Sequence, residues 1–206
     1  MNRLKIEKEL LEGEIIREPV GDEMGYWAGA PGWCWDEDDR AAYLTYRIRR
    51  PRGVEPDRGG ESRIARTTDF KTFEDVWSVH KSQYDSASIE KSILRRGSDG
   101  QWRYFTSYVA PEDGRWCTAI NQAETVEALN PARVKRLFTA TDFGLEGVKD
   151  PWLIEVGGIY HLFLSVAINT ANTSDHSHDS LDIFNTGECV SATALATSAD
   201  LDRWDW

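Results

Sequence analysis

The chain has 206 residues, enough for one domain with a substantial core. Lys and Arg total 24 against 35 Asp and Glu, a net charge of −11, which argues against nucleic acid or an anionic membrane as partner. At 40% apolar and 29% charged residues the composition is globular, and nine Trp, seven Tyr and seven Phe between Gly and Asp clusters fit an all-β protein.

Met1 to Glu14 is charged and lacks the apolar stretch of a secretory signal, and no run is long enough to span a bilayer. Three Cys, at 34, 117 and 189, are scattered and form no CxxC pair. Reduced thiols in a cytoplasm follow, and no metal or other cofactor is expected. Helix signals are confined to Ile6 to Ile16 and Thr125 to Val134.

From residue 27 a pattern recurs: a turn element, an apolar strand, a Gly/Asp turn and an aromatic strand. It runs first through Ala30-Pro31-Gly32-Trp33-Cys34-Trp35 and Ala42-Tyr43-Leu44-Thr45-Tyr46. It returns in Ser88-Ile89-Glu90-Lys91-Ser92-Ile93-Leu94 and Trp102 to Tyr108. It returns again in Lys149-Asp150-Pro151-Trp152-Leu153-Ile154 and Tyr160 to Ser165. Second halves follow: Ser62 to Phe70 with Trp77, and Ala194 to Leu201 with Trp204. Both hold a Ser/Thr-x-Asp turn, while the middle copy, Cys117 to Gln122 and Val134 to Phe138, is weaker. The period is roughly sixty residues, somewhat above the ~40–50 of common propeller repeats.

Four antiparallel strands per repeat make a propeller blade. The sequence therefore predicts a partial β-propeller over 27–206, with blades near 27–86, 87–147 and 148–206, after an N-terminal extension over 1–26. A β-sandwich is the alternative, but it would show strands at ~8–12-residue spacing without so long a repeat. Three blades do not close a ring of the usual ~4–8. The expectation is a five-bladed ring completed by an oligomer, a partner chain or further polypeptide.

Lys149-Asp150-Pro151-Trp152-Leu153-Ile154, then Gly157-Gly158-Ile159-Tyr160-His161-Leu162, resembles the third-blade opening of the five-bladed propeller glycoside hydrolases. That group includes arabinanases, xylosidases, invertases and levansucrases. Ala196 to Trp204 is similar to its recurring Ser-x-Asp-Leu-x-x-Trp blade ending, and the resemblance covers about residues 27 to 206. It implies three carboxylates aimed into a central funnel from the first strands of different blades. Glycosidases need one carboxyl protonated and another ionised, and crowding like charges separates their pKa values.

Asp150 alone matches that pattern directly. The blade-one carboxylate position is Ala30-Pro31 here, and the later Glu would lie beyond Trp206. Glu90 occupies the equivalent start in the second repeat. The catalytic candidates are thus Asp150 and Glu90, with Lys149 holding Asp150 ionised and Glu90 carrying the proton. Glu188, in Glu188-Cys189, is similar to an acid motif of the invertase branch but is read as a loop carboxylate.

Blade geometry puts the loops Arg49 to Gly60 and Ala167 to Val190 at the funnel mouth. Arg50 and Arg52 in the first form a basic cluster in an acidic chain. They are either solvated and ion-paired or a clamp for a carboxylate, sulfate or phosphate. Trp27 is a candidate sugar platform; Trp33 is read as packing between blades. Asp175-His176-Ser177-His178-Asp179 has metal-ligand chemistry but is read as a mobile polar loop. The ligand expected is a carbohydrate. A non-catalytic sugar-binding propeller and a structural, protein-binding one stay open beside the glycoside hydrolase reading.

Overall fold

The computed structural model describes residues 12–206, so the first of the two helix signals lies largely outside the described residues. Eleven strands, three-residue to four-residue 3₁₀ turns and no α-helix make up the described chain. The second helix signal yields only a 3₁₀ turn at Pro131–Arg133, whose N-terminus Asn130 caps by accepting from the Ala132 amide. Pro131 fits that first-turn position because its missing N–H would have no helical partner anyway. None of the described helices is long and apolar enough to cross a membrane.

The first blade is an antiparallel meander of β1 (Trp27–Asp36), β2 (Ala41–Arg49), β3 (Glu61–Thr67) and β4 (Glu74–His80). The second is β5 (Ile89–Arg96), β6 (Trp102–Val109), β7 (Trp116–Ala123) and β8 (Lys135–Phe138), in the same order. The third is β9 (Gly147–Val156), β10 (Ile159–Ile168) and β11 (Val190–Ser198). The backbone of Asp205 then pairs with Thr197, where a fourth strand of that blade would lie. The second and third blades touch through one parallel pair, Trp116 beside Gly147, so their strands form one continuous hydrogen-bonded sheet. All other pairing is antiparallel and stays within a blade.

The order of blades explains which strands are apolar on both sides. Every residue of β6 is buried. Its Trp102 and Tyr104 pack with Cys34, Tyr43 and Ile64 of the first blade. Phe105, on its opposite face, packs with Val148, Leu162 and Leu164 of the third. Alternation along the strand separates the two sets. The third blade is covered on one side only. Tyr160, Leu162, Leu164 and Val166 face that core, whereas Trp152, Ile154, Ile159 and Leu195 are exposed on the other side.

The Ser/Thr-x-Asp turns form two copies of one device. Thr67 Oγ1 accepts from the Asp69 and Phe70 amides, and Asp69 Oδ1 accepts from Lys71 and Thr72. Ser198 Oγ accepts from the Asp200 and Leu201 amides, and Asp200 Oδ1 accepts from Asp202 and Arg203. Phe70 and Leu201 both turn the chain with left-handed φ, 58° and 66°. Those backbone donors hold each carboxyl at about 2, below the ordinary Asp value.

Candidate active site

Each first strand carries a bulge at the repeat's equivalent position. Pairing of β1 with β2 shifts between Gly29 and Gly32, of β5 with β6 between Ile89 and Ser92, and of β9 with β10 at the Trp152-to-Lys149 step. The residues inside these bulges are Ala30-Pro31, Glu90-Lys91 and Asp150-Pro151. Proline is admissible there because a bulge releases the amide from the ladder. Ala30 and Asp150 share left-handed φ values of 52° and 56°. An extra residue in a strand re-aims the side chains around it.

Two of these three bulges supply carboxylates to one cluster. Lys149 Nζ lies 3.0 Å from Glu90 Oε2 and 3.5 Å from Asp150 Oδ2. Arg47 Nη1, from β2, lies 3.1 Å from Glu90 Oε1 and donates to the Ile89 carbonyl at 3.2 Å. Ser107, on the face of β6 toward the third blade, accepts from the Asp150 amide at 2.9 Å. The Lys149 ammonium also lies over the rings of Trp116, at 5.3 Å, and Phe184, at 4.6 Å.

The two carboxyls shift in opposite directions. Burial pushes the Glu90 pKa up, but Arg47 and Lys149 on its two oxygens outweigh this and hold it below the ordinary Glu value. Burial also raises Asp150; Lys149 opposes this, the Glu90 charge adds to it, and the result stays above the ordinary Asp value. This reverses the protonation expected from sequence. Lys149 does neighbour Asp150, but it sits nearer Glu90, which has a second cation as well. Of the two, Asp150 is held toward its protonated form and Glu90 toward its ionised form.

Asp150 and Lys149 line an open groove of about 440 Å³ with Ser165, Phe184, Asn185 and Thr193. Glu90 lines a separate small cavity, about 40 Å³, beside Arg52, Arg58, Trp116 and Leu181. Trp27 stands at the edge of the cluster, half-exposed, with the Arg47 guanidinium 5.4 Å from its ring centre. The ring crosses Gly29, where any side chain would strike it.

The remaining candidates are arranged differently. Arg52 reaches Asp182 of the 167–190 loop at 3.1 Å, and Arg58 meets the same carboxylate at 3.1 Å, so two mouth loops are tied together there. The Arg50 amide donates to the Asp57 carbonyl, and its side chain makes no hydrogen bond or ion pair among the described residues. The Glu188 carbonyl accepts from Thr170 and Thr173, which folds the loop on itself; its carboxylate is not part of the Glu90–Asp150 cluster. His178 is taken by Glu146 at 3.0 Å and His176 lies by Asp179. Among the described residues no three His, Cys, Asp or Glu side chains converge as a metal site. Trp33, read as packing between blades, lines a small cleft with Ile93 and Leu94 of the second blade and Trp152 of the third, and also stacks on Phe70 of its own blade while staying half-exposed.

Arg47, Ser107 and Phe184 escaped sequence reasoning. For Arg47 a signal existed: strand alternation after Tyr43 and Thr45 puts it on the face toward the second blade. Phe184 had none, since it comes from an irregular loop.

No protein-family model matches the chain, and no curated protein matches it by sequence. Solved structures match the fold. An exo-1,5-α-L-arabinanase from a bovine ruminal metagenomic library superposes with a TM-score of 0.58 at 12% identity, over 88% of this chain and 56% of its own. A xylan β-1,4-xylosidase from Bacillus halodurans gives 0.56 at 15% identity, over 91% of this chain and 31% of its own. A β-fructofuranosidase from Bombyx mori gives 0.51 at 13%, over 89% and 38%. The chain thus has the fold of five-bladed propeller glycoside hydrolases in partial form. It spans about half the length or less of these relatives.

Proposed function

We propose that this chain is a carbohydrate-active protein, with a glycoside hydrolase-like site in which Asp150 contacts the sugar. The observation that carries the reading is the placement of Asp150: a carboxyl with raised pKa, on a bulge, at the wall of a polar groove. A protonated carboxyl there can donate to a hydroxyl or glycosidic oxygen. Ser165, Asn185 and Thr193 offer further hydrogen bonds, and Phe184 offers an apolar face. Glu90 acts through charge. It holds Lys149 and Arg47 in place, and its charge adds to the burial that favours the neutral form of Asp150. Trp27, Arg50, Arg52 and Glu188 stay as outer substrate contacts in this reading.

A second reading, sugar binding without turnover, draws on two specific observations. Ala30 has a methyl group where the third blade has a carboxylate, and both Glu90 oxygens are occupied by cations. Neither residue is placed to activate water. Turnover then depends on further blades, supplied by an oligomer or a partner chain. The exposed apolar side of the third blade, with Trp152, Ile154, Ile159 and Leu195, supports such completion.

The test is calorimetric binding of a panel of furanosides and uronic-acid sugars to wild type and Asp150→Asn, beside thermal unfolding. The expected result is loss of binding in the variant at an undiminished melting temperature. Equal binding by the two proteins removes Asp150 from the site.

A further inference from the structure

Along β2, alternation sends Tyr43, Thr45, Arg47 and Arg49 toward the second blade. The first three have partners there, although the Arg47 Nε, like that of Arg49, is buried without an acceptor. Tyr43 meets the Trp102 ring at 4.6 Å, Thr45 Oγ1 donates to the Ser92 carbonyl at 2.6 Å, and Arg47 bridges to Glu90. Arg49, directly opposite Trp27 in the strand register, is the exception. Its side chain makes no hydrogen bond or ion pair among the described residues, and its Nε is buried without an acceptor.

The neighbouring carboxylates are already engaged. Asp182 holds Arg52 and Arg58; Glu90 holds Arg47 and Lys149. Five cations, Arg47, Arg49, Arg52, Arg58 and Lys149, therefore stand against four carboxyl groups, Asp57, Glu90, Asp150 and Asp182. In a protein of net charge −11 this is a local reversal of sign. Burial, Arg58 and Arg47 lower the Arg49 pKa by more than the Asp182 and Glu90 charges raise it. A guanidinium does not shed its proton at working pH, so the unbalanced charge persists. An arriving anion is the species that balances it, and it gains the planar two-point contact that Arg offers.

We propose that Arg49 receives the oxyanion of an acidic sugar, a carboxylate or a sulfate ester, whose ring lies on Trp27. The inference rests on the carbohydrate reading and specifies its substrate class. It adds Arg49 to the outer basic contacts Arg50 and Arg52, of which Arg52 is already paired with Asp182. A plain solvated arginine would make the same side chain indifferent to ligand charge.

Calorimetry on the full chain separates the possibilities, with methyl β-D-glucuronoside, methyl β-D-glucoside 6-sulfate, neutral methyl β-D-glucoside and sodium sulfate as probes. Wild type is expected to bind at least one charged glycoside about tenfold or more tighter than the neutral one. Whichever of the two it is identifies carboxylate or sulfate as the group recognised. Arg49→Gln is expected to erase that preference without lowering the melting temperature, since no internal partner is lost, and Arg49→Lys to restore it in part. Equal affinity for charged and neutral glycosides, or a preference that survives Arg49→Gln, overturns the anion inference and leaves the carbohydrate reading standing. Arg49-dependent binding of sodium sulfate with no glycoside bound more tightly overturns the sugar ligand and the reading beneath it. Absence of binding by every probe overturns both.

Discussion

The first and third blades open on the same backbone with different chemistry. Ala30-Pro31 and Asp150-Pro151 sit in equivalent bulges with φ of 52° and 56°, yet one presents a methyl group and the other a carboxyl. The kink is therefore a feature of how a blade starts, and it does not depend on the carboxylate. The carboxyl of Asp150 is extra, and it lies in surroundings that favour its neutral form. A group kept in an environment that disfavours its charge is a candidate for function. The second blade sharpens the contrast, because Glu90 occupies its bulge with both oxygens paired.

Substitutions at the three bulges and the two turns test this contrast directly. Glu90→Gln comes first. It strips the carboxylate from Arg47 and Lys149, whose side chains are only 12% and 11% exposed. Leaving partly buried cations unpaired costs about 2 kcal/mol, so a lowered midpoint in urea unfolding is expected. Because the folded pKa of Glu90 is depressed, its contribution is present above the unfolded Glu value and fades as pH falls through the folded one. The gap between wild type and Glu90→Gln should close accordingly in acid. A gap that does not change with pH would show the loss to be steric.

The paired turns come next. Asp69 and Asp200 have folded pKa values of about 2, against roughly 3.9 for unfolded Asp. Their stabilisation is full above about pH 4 and lost as pH falls toward 2. Asp69→Ala and Asp200→Ala should each lower the melting temperature at neutral pH and flatten its fall in that window. If only one does so, the two turns are not energetically equivalent despite matching hydrogen bonds.

The exchange of Ala30 and Asp150 should have the smallest effect on folding. Asp tolerates left-handed φ better than most residues, so Ala30→Asp should stay within about 0.5 kcal/mol of wild type. Asp150→Ala should be neutral or slightly stabilising at pH 7. A carboxyl with raised folded pKa destabilises the fold as pH rises past its unfolded value. Thermal melts from pH 3 to 8 check both. A large loss in either would mean that the bulge depends on its side chain after all.

Much of this architecture was legible in the chain. Strand patterns are written as alternation, and the Ser/Thr-x-Asp turns are local hydrogen-bond devices completed within six residues, so both survive translation into structure unchanged. The bulges were visible indirectly, as Pro after Ala30 and Asp150 inside otherwise strand-like runs. Glu90 and Asp150 occupy equivalent repeat positions, and Lys149 bridges the two in the folded chain.

The protonation of that pair was not legible. It depends on a cation from β2, Arg47, that comes from another blade, and on whether Lys149 lies nearer the residue beside it or one fifty-nine positions away. Sequence neighbours suggested the former, and packing chose the latter. The basic loop divided in the same way. Composition marked the cluster, but only the folded loops pair Arg52 and Arg58 with Asp182 and leave Arg49 without a partner. The repeat, the blade pattern and the turn chemistry could be read from the chain because each is set by neighbours along it. Charge balance at the axis was decided by the tertiary structure alone, because Coulomb interactions act between side chains that only blade-against-blade packing brings within a few ångströms.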